Sequence, residues 1–193
     1  MNLLDLSLRD FLDELAADGR TPGGGSLAAL VTAAAAGLLA KVARASRSDW
    51  PEAAGVAAQA EALRDRAAPL AQIDADQYEA ALRSLDGGGE ASVERRDFDV
   101  GRAHARAAEP PMRIVEAATD VAELSVLVAR NGEPALRADA AAAGALAAAA
   151  ARAATELVAV NLTASAEDER VVRARALAQQ AADAADEAFA GGA

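Results

Sequence analysis

The chain has 193 residues, 53% of them hydrophobic but only 3% aromatic, and a formal net charge of −11. So acidic a chain lacks the basic stripe by which proteins hold nucleic acid, so no nucleic-acid partner is expected. It has no cysteine and one histidine, His104, which excludes disulfides, thiolate metal sites and a multi-histidine metal centre.

Alanine dominates and β-branched residues are scattered, a composition that favours helix nearly throughout. The length suits one all-α domain over residues 1–193, a bundle of long helices with no linker dividing it. An alanine-rich core buries little apolar area per residue, so at least a homodimer is expected. The N-terminus carries no basic and apolar secretion signal. The uncharged run after Ser26 falls short of the ~20 apolar residues that span a bilayer. A cytoplasmic protein with no membrane segment follows as the expectation.

Taken in order, Ser7 caps a first helix with Leu8, Phe11, Leu12 and Leu15 on one face. It should end near Ala17. Thr21-Pro22-Gly23-Gly24-Gly25-Ser26 then breaks the chain, and an apolar stretch without charge runs from Leu27 to Ala40. This reads as a glycine loop opening a long buried helix to about Arg47, with Ser26 as its N-cap. The free N–H groups of such a helix start favour an anionic group, while a tight turn into a crowded helix crossing is the plainer reading. Neither a Gly-Lys-Ser/Thr nor a preceding strand makes it a nucleotide loop. Ala29, Ala33 and Gly37 recur every fourth residue, which lets another helix come close.

Asp49-Trp50-Pro51-Glu52 starts a third helix that continues to about Leu85 with a kink at Pro69. Within it Asp74 and Tyr78 lie four apart on one face, either as a structural pair or as half of an acid–base site. Asp86 to Gly89 reads as a turn, and Ser92 as the cap of a polar helix carrying Arg95, Arg96, Arg102, His104 and Arg106. Pro110-Pro111 opens a fifth helix with Ile114, Val115, Ala118, Val121, Ala122 and Val128 as core, and Asn131-Gly132 stops it. Asp139 precedes a second helix of very small residues, as its N-cap or as a functional carboxylate. Asn161 closes that helix in apolar company, as a buried hydrogen-bonding node or a terminator. Ser165 to Asp168 reads as a capping box for the last helix.

In this order these landmarks resemble the formiminotransferase-cyclodeaminase C-terminal domain family, which includes methenyltetrahydrofolate cyclohydrolases. Leu8 to Leu15, Pro22 to Ser26, Asp74 to Tyr78, the Pro110-Pro111 helix start, Asp139 and Asn161-Leu162 carry the likeness, which spans essentially the whole chain. Glu133, Ala138 and Leu157 depart from the family's usual Asn, Ser and Asn. The resemblance implies hydrolysis of 5,10-methenyltetrahydrofolate to 10-formyltetrahydrofolate, or cyclising deamination of 5-formiminotetrahydrofolate. It requires no metal or other cofactor. Under it Asp74 or Asp139 is the general base, Tyr78 and Asn161 orient water or pterin, and the N–H groups of Gly23, Gly24, Gly25 and Ser26 hold a polar or anionic part of the folate. The alternatives are a non-catalytic folate-binding or partner-binding subunit and a purely structural dimer.

Overall fold

The computed structural model describes residues 2–86, 93–162 and 167–190, the side chains of 85, 86 and 93–97 excepted. The described residues are all-α, as composition requires. The elements are α1 (Leu8–Ala16), α2 (Gly24–Ala45), α3 (Ala53–Ala67), α4 (Leu70–Asp86), α5 (Val93–Ala107), α6 (Glu109–Asn131), α7 (Arg137–Leu162) and α8 (Glu169–Ala190). Short 3-10 turns lie at Leu3–Asp5 and Pro134–Leu136.

Helix α6 is the central rod. Its Ile114, Val115, Val121, Ala122 and Val128 are fully buried, as the spacing predicts, beneath α2, α3, α7 and α8. Helices α2 and α7 lie side by side and antiparallel. Gly24 approaches Leu157 at one end, and Lys41 meets Asp139 at the other. Small residues also bring α7 close to α6: a Cβ on Gly144 would sit 2.3 Å from Ser125 Oγ on α6.

Several expectations change in local detail. Pro69 does more than kink the third helix: the chain divides into α3 and α4 at Ala68-Pro69, because proline has no N–H and its ring displaces the preceding turn. Ser26 is not an N-cap. Helix α2 begins two residues earlier, at Gly24, with Gly23 as cap, since glycine accepts the helix start without a side chain to place. Nor does Asp139 cap α7, which starts at Arg137 and leaves Asp139 inside the first turn. In α1 the Ser7 cap is as expected, its hydroxyl accepting from Asp10 N–H at 3.1 Å. Only Phe11 is buried there, however, and Leu8 and Leu12 face solvent. By length and composition α2 and the 134–162 segment could each cross a membrane, contrary to the count made on the uncharged run. Here 61% and 50% of those windows are packed inside the bundle. Gly87 to Ser92, Ser165, Ala166 and the side chains of Arg95 and Arg96 lie outside the described residues. At the start of α8, Asp168 Oδ1 accepts from Arg170 N–H at 2.9 Å.

Candidate active site

The glycine corner and α4 meet because of one residue without a side chain. A Cβ on Gly25 would lie 2.3 Å from both carboxylate oxygens of Asp74. The carboxylate therefore occupies the space that any other residue at position 25 would fill. Cβ atoms on Gly23 and Gly24 would meet only ordinary contacts, Arg20 O at 3.9 Å and Leu157 Cδ1 at 3.8 Å. Of the three, only Gly25 has its Cβ position already filled by other atoms.

Asp74 lies against the first turn of α2 and accepts from the Ser26 N–H. Burial nonetheless outweighs that bond and raises its pKa from 3.8 to about 6. The Ser26 side chain does a different job: its buried hydroxyl donates to Ala71 O at 2.8 Å, clamping α2 to the start of α4 three residues before Asp74. Thr21 Oγ1 adds a second tie, donating to Glu79 Oε1 at 2.5 Å.

Around Asp74 is a cavity of about 220 Å³. Gly23, Gly24 and Gly25 form its floor, with Asp74 and Tyr78 from α4 and Leu157, Val160 and Asn161 from α7 as its walls. Arg20 and Thr21 stand at the approach to the glycine corner. Tyr78 is one helical turn from Asp74 and 39% exposed. Asn161 is fixed from behind. Its Nδ2 donates to Ala107 O at 2.8 Å, and His104 Nδ1 is 3.1 Å from its backbone carbonyl. A carbonyl only accepts, so His104 carries its proton on Nδ1 there. The second amide N–H and Oδ1 of Asn161 remain to offer a ligand.

The structure thus gathers Gly23, Gly24, Gly25, Asp74, Tyr78 and Asn161 around one cavity, with Ser26 beneath it. Asp139 is elsewhere in the protomer. It is 22 residues from Asn161 on the same helix, about 33 Å along the axis, paired with Lys41 at 3.4 Å. Within the protomer, the antiparallel run of α2 and α7 puts Asp139 at the end of the bundle away from the cavity that holds Asp74. Sequence reasoning missed Arg20, Leu157, Val160 and the support from His104 and Ala107. Leu157 was accessible to it, being one turn from Asn161 on the same helix face. A larger groove of about 680 Å³ between α6 and α8 is an open trough whose Glu123 and Glu187 already pair with Gln180 and Arg130.

These features define a helical-bundle protein with a small-molecule cavity centred on a desolvated carboxylate. Residues 7–182 match the formiminotransferase-cyclodeaminase family, and the chain belongs to that family. Its fold is similar to that of the formiminotetrahydrofolate cyclodeaminase of Thermotoga maritima, with a TM-score of 0.81 at 22% identity, covering 98% of this chain and 94% of that one. No curated protein matches its sequence.

Proposed function

We propose that the cavity binds the pterin end of a one-carbon tetrahydrofolate, and that Asp74 is the proton-transfer group. Hydrolysis of 5,10-methenyltetrahydrofolate is the first reaction to test. One observation carries the reading: Gly23, Gly24, Gly25, Asp74, Tyr78 and Asn161 line one cavity, where burial raises the Asp74 carboxyl to about 6. That value divides Asp74 between base and acid close to neutral pH, as a group that takes and returns a proton requires.

The methenyl carbon is cationic and electrophilic. Water adds to it as Asp74 takes one of the water protons. The carbinolamine then collapses: its C–N5 bond breaks, N5 takes the proton held by Asp74, and the hydroxyl proton leaves to solvent as the formyl carbonyl forms. An ionised Asp74 also favours the cationic substrate. In this reading Tyr78 and Asn161, which line the cavity, orient water or the pterin, and Arg20 receives an acidic group on the part that projects outward.

A second reading is favoured by the activity named for the Thermotoga neighbour. In cyclising deamination, N10 attacks the protonated formimino carbon, Asp74 accepts the N10 proton, and it passes a proton to the departing ammonia. Neither reading needs a residue the other lacks. Methenyltetrahydrofolate absorbs strongly, so its decay with the purified protein, against 5-formiminotetrahydrofolate as substrate for its appearance, separates them. A bound ligand that neither decays nor forms would instead support a non-catalytic folate-binding subunit.

A further inference from the structure

The cavity end of α7 is held from outside that helix. The last four carbonyls of a helix have no partner within it, and its final turn frays unless other groups bind them. Asn161 is the second-last residue of α7, so its carbonyl is one of those four. His104 Nδ1, 57 residues away in the chain, reaches that carbonyl at 3.1 Å. Ala107 O takes the Asn161 side-chain amide at 2.8 Å. His104 and Ala107 are three apart and share one face of α5. A single turn of α5 therefore fixes both the backbone and the side chain of Asn161.

That turn is itself anchored to the central rod. Ala108 N–H donates to His104 O at 3.1 Å, and Met112 N–H to Ala108 O at 3.2 Å, which carries the bonded backbone into α6. Ala107 and Ala108 are buried, and Pro110 and Pro111 at the head of α6 are fully so. Support thus runs from α6, through the last turn of α5, to one amide in the cavity wall. Of the two bonds to Asn161, only the one from His104 can be removed by substitution, since Ala107 supplies a backbone atom. An imidazole protonated on Nδ1 donates there whether neutral or cationic, so the tie holds in either charge state. His104 does not itself line the cavity, so whatever it does for a ligand it does through Asn161.

We propose that His104 is a positioning residue of this cavity: by holding the Asn161 carbonyl it locks the end of α7 and fixes the Asn161 amide against the ligand. The turnover assay below rests on the folate reading, and the geometry does not. A misplacement of about 1 Å far from the chemistry can cost about 100-fold in rate.

His104→Phe keeps the outline of a ring and removes the donor. Its kcat for methenyltetrahydrofolate is expected to fall about 10- to 100-fold, with KM moving less than about threefold. His104→Asn restores a donor nitrogen bonded to Cγ, as Nδ1 is, and should recover to within about threefold of wild type. His104→Gln, whose amide lies one bond farther out, should not. The His104→Phe/Asn161→Ala double variant should be no slower than Asn161→Ala alone, because His104 acts through the amide that is already gone. Losses that add, or wild-type turnover in His104→Phe, overturn the proposal. Circular dichroism confirms that each variant folds, and should His104→Phe fail to fold, the contrast between Asn and Gln decides. Two readouts need no substrate. His104 is the sole histidine, so its ring nitrogen resonances are unambiguous. A neutral ring with the proton on Nδ1 is expected, and a dominant Nε2–H form refutes the tie. Amide hydrogen exchange in the last turn of α7 should quicken in His104→Phe and not in His104→Asn. No turnover by the wild type would sink the folate reading, while the ring proton and the exchange rates would still decide whether His104 holds Asn161.

Discussion

Adding one methyl group at Gly25 separates this account from one in which the glycines serve only chain flexibility. Gly25→Ala places a Cβ 2.3 Å from the Asp74 oxygens and 2.4 Å from Cγ. Overpacking of that kind costs about 1–3 kcal/mol if nothing moves. The obstructing atoms are the end of a side chain, however, and the carboxylate can swing toward solvent. Leaving its buried position releases the cost of holding it there, about 3 kcal/mol for a pKa raised from 3.8 to about 6. The substitution also gains about 0.5–1 kcal/mol of helix propensity. At pH 7.5 Gly25→Ala should therefore be folded and between unchanged and about 2 kcal/mol more stable in urea. Its turnover of methenyltetrahydrofolate should fall at least ~100-fold, the lower limit for losing a positioned general base. The pH inflection from Asp74 should move from near 6 toward 4. Gly24→Ala, whose Cβ meets only Leu157 at 3.8 Å, should keep that inflection. Wild-type turnover and an inflection still near 6 in Gly25→Ala would refute the steric reasoning.

Asp74→Asn should stabilise the protein by about 1–3 kcal/mol at pH 8. The folded pKa is raised, so the wild type is free of this cost below pH 4 and loses stability as pH rises from 4 to 6. The gain in Asp74→Asn should fade below pH 4, which urea unfolding across pH checks. Wild-type turnover should likewise rise with pH through about 6, as ionised Asp74 becomes available. Ser26→Ala removes the buried bond to Ala71 O and should cost about 1 kcal/mol in thermal or urea unfolding. Gly132→Ala would put a Cβ 2.5 Å from Val128 O, a backbone atom that cannot step aside. It should lose about 1–3 kcal/mol without changing the pH inflection.

Much of the fold was legible because helix signals here are local. Ser7, the Pro110-Pro111 start and the apolar spacing of residues 114–128 each depend on neighbours within one or two turns. Pro69 was legible as a disturbance, but whether a proline bends or divides a helix depends on what each half packs against. Leu8 and Leu12 have the spacing of a buried face yet face solvent, because periodicity says which residues share a face and not whether anything covers it. At the site, Asp74 and Tyr78 were readable as a pair from their spacing. Their meeting with Gly25 was not, since 49 residues separate Gly25 from Asp74 and the contact arises from the packing of α4 on α2. Asp139 shows the same limit from the other side: its residue type fits the chemistry, but only the direction of α7 places it at the far end.

The buried interior is mostly alanine, and alanine has no χ angle to change. Cores of leucine and phenylalanine absorb a misfit by turning side chains over. This one has few such adjustments, so excess volume must be taken up by helices sliding as rods. A methyl group added where Gly144 crosses Ser125 would displace α7 as a unit, and Leu157 and Asn161 travel with it. Distant crossings are thus geared to the cavity, and tolerance to mutation should fall off more slowly with distance from that cavity than it does in proteins with bulkier interiors.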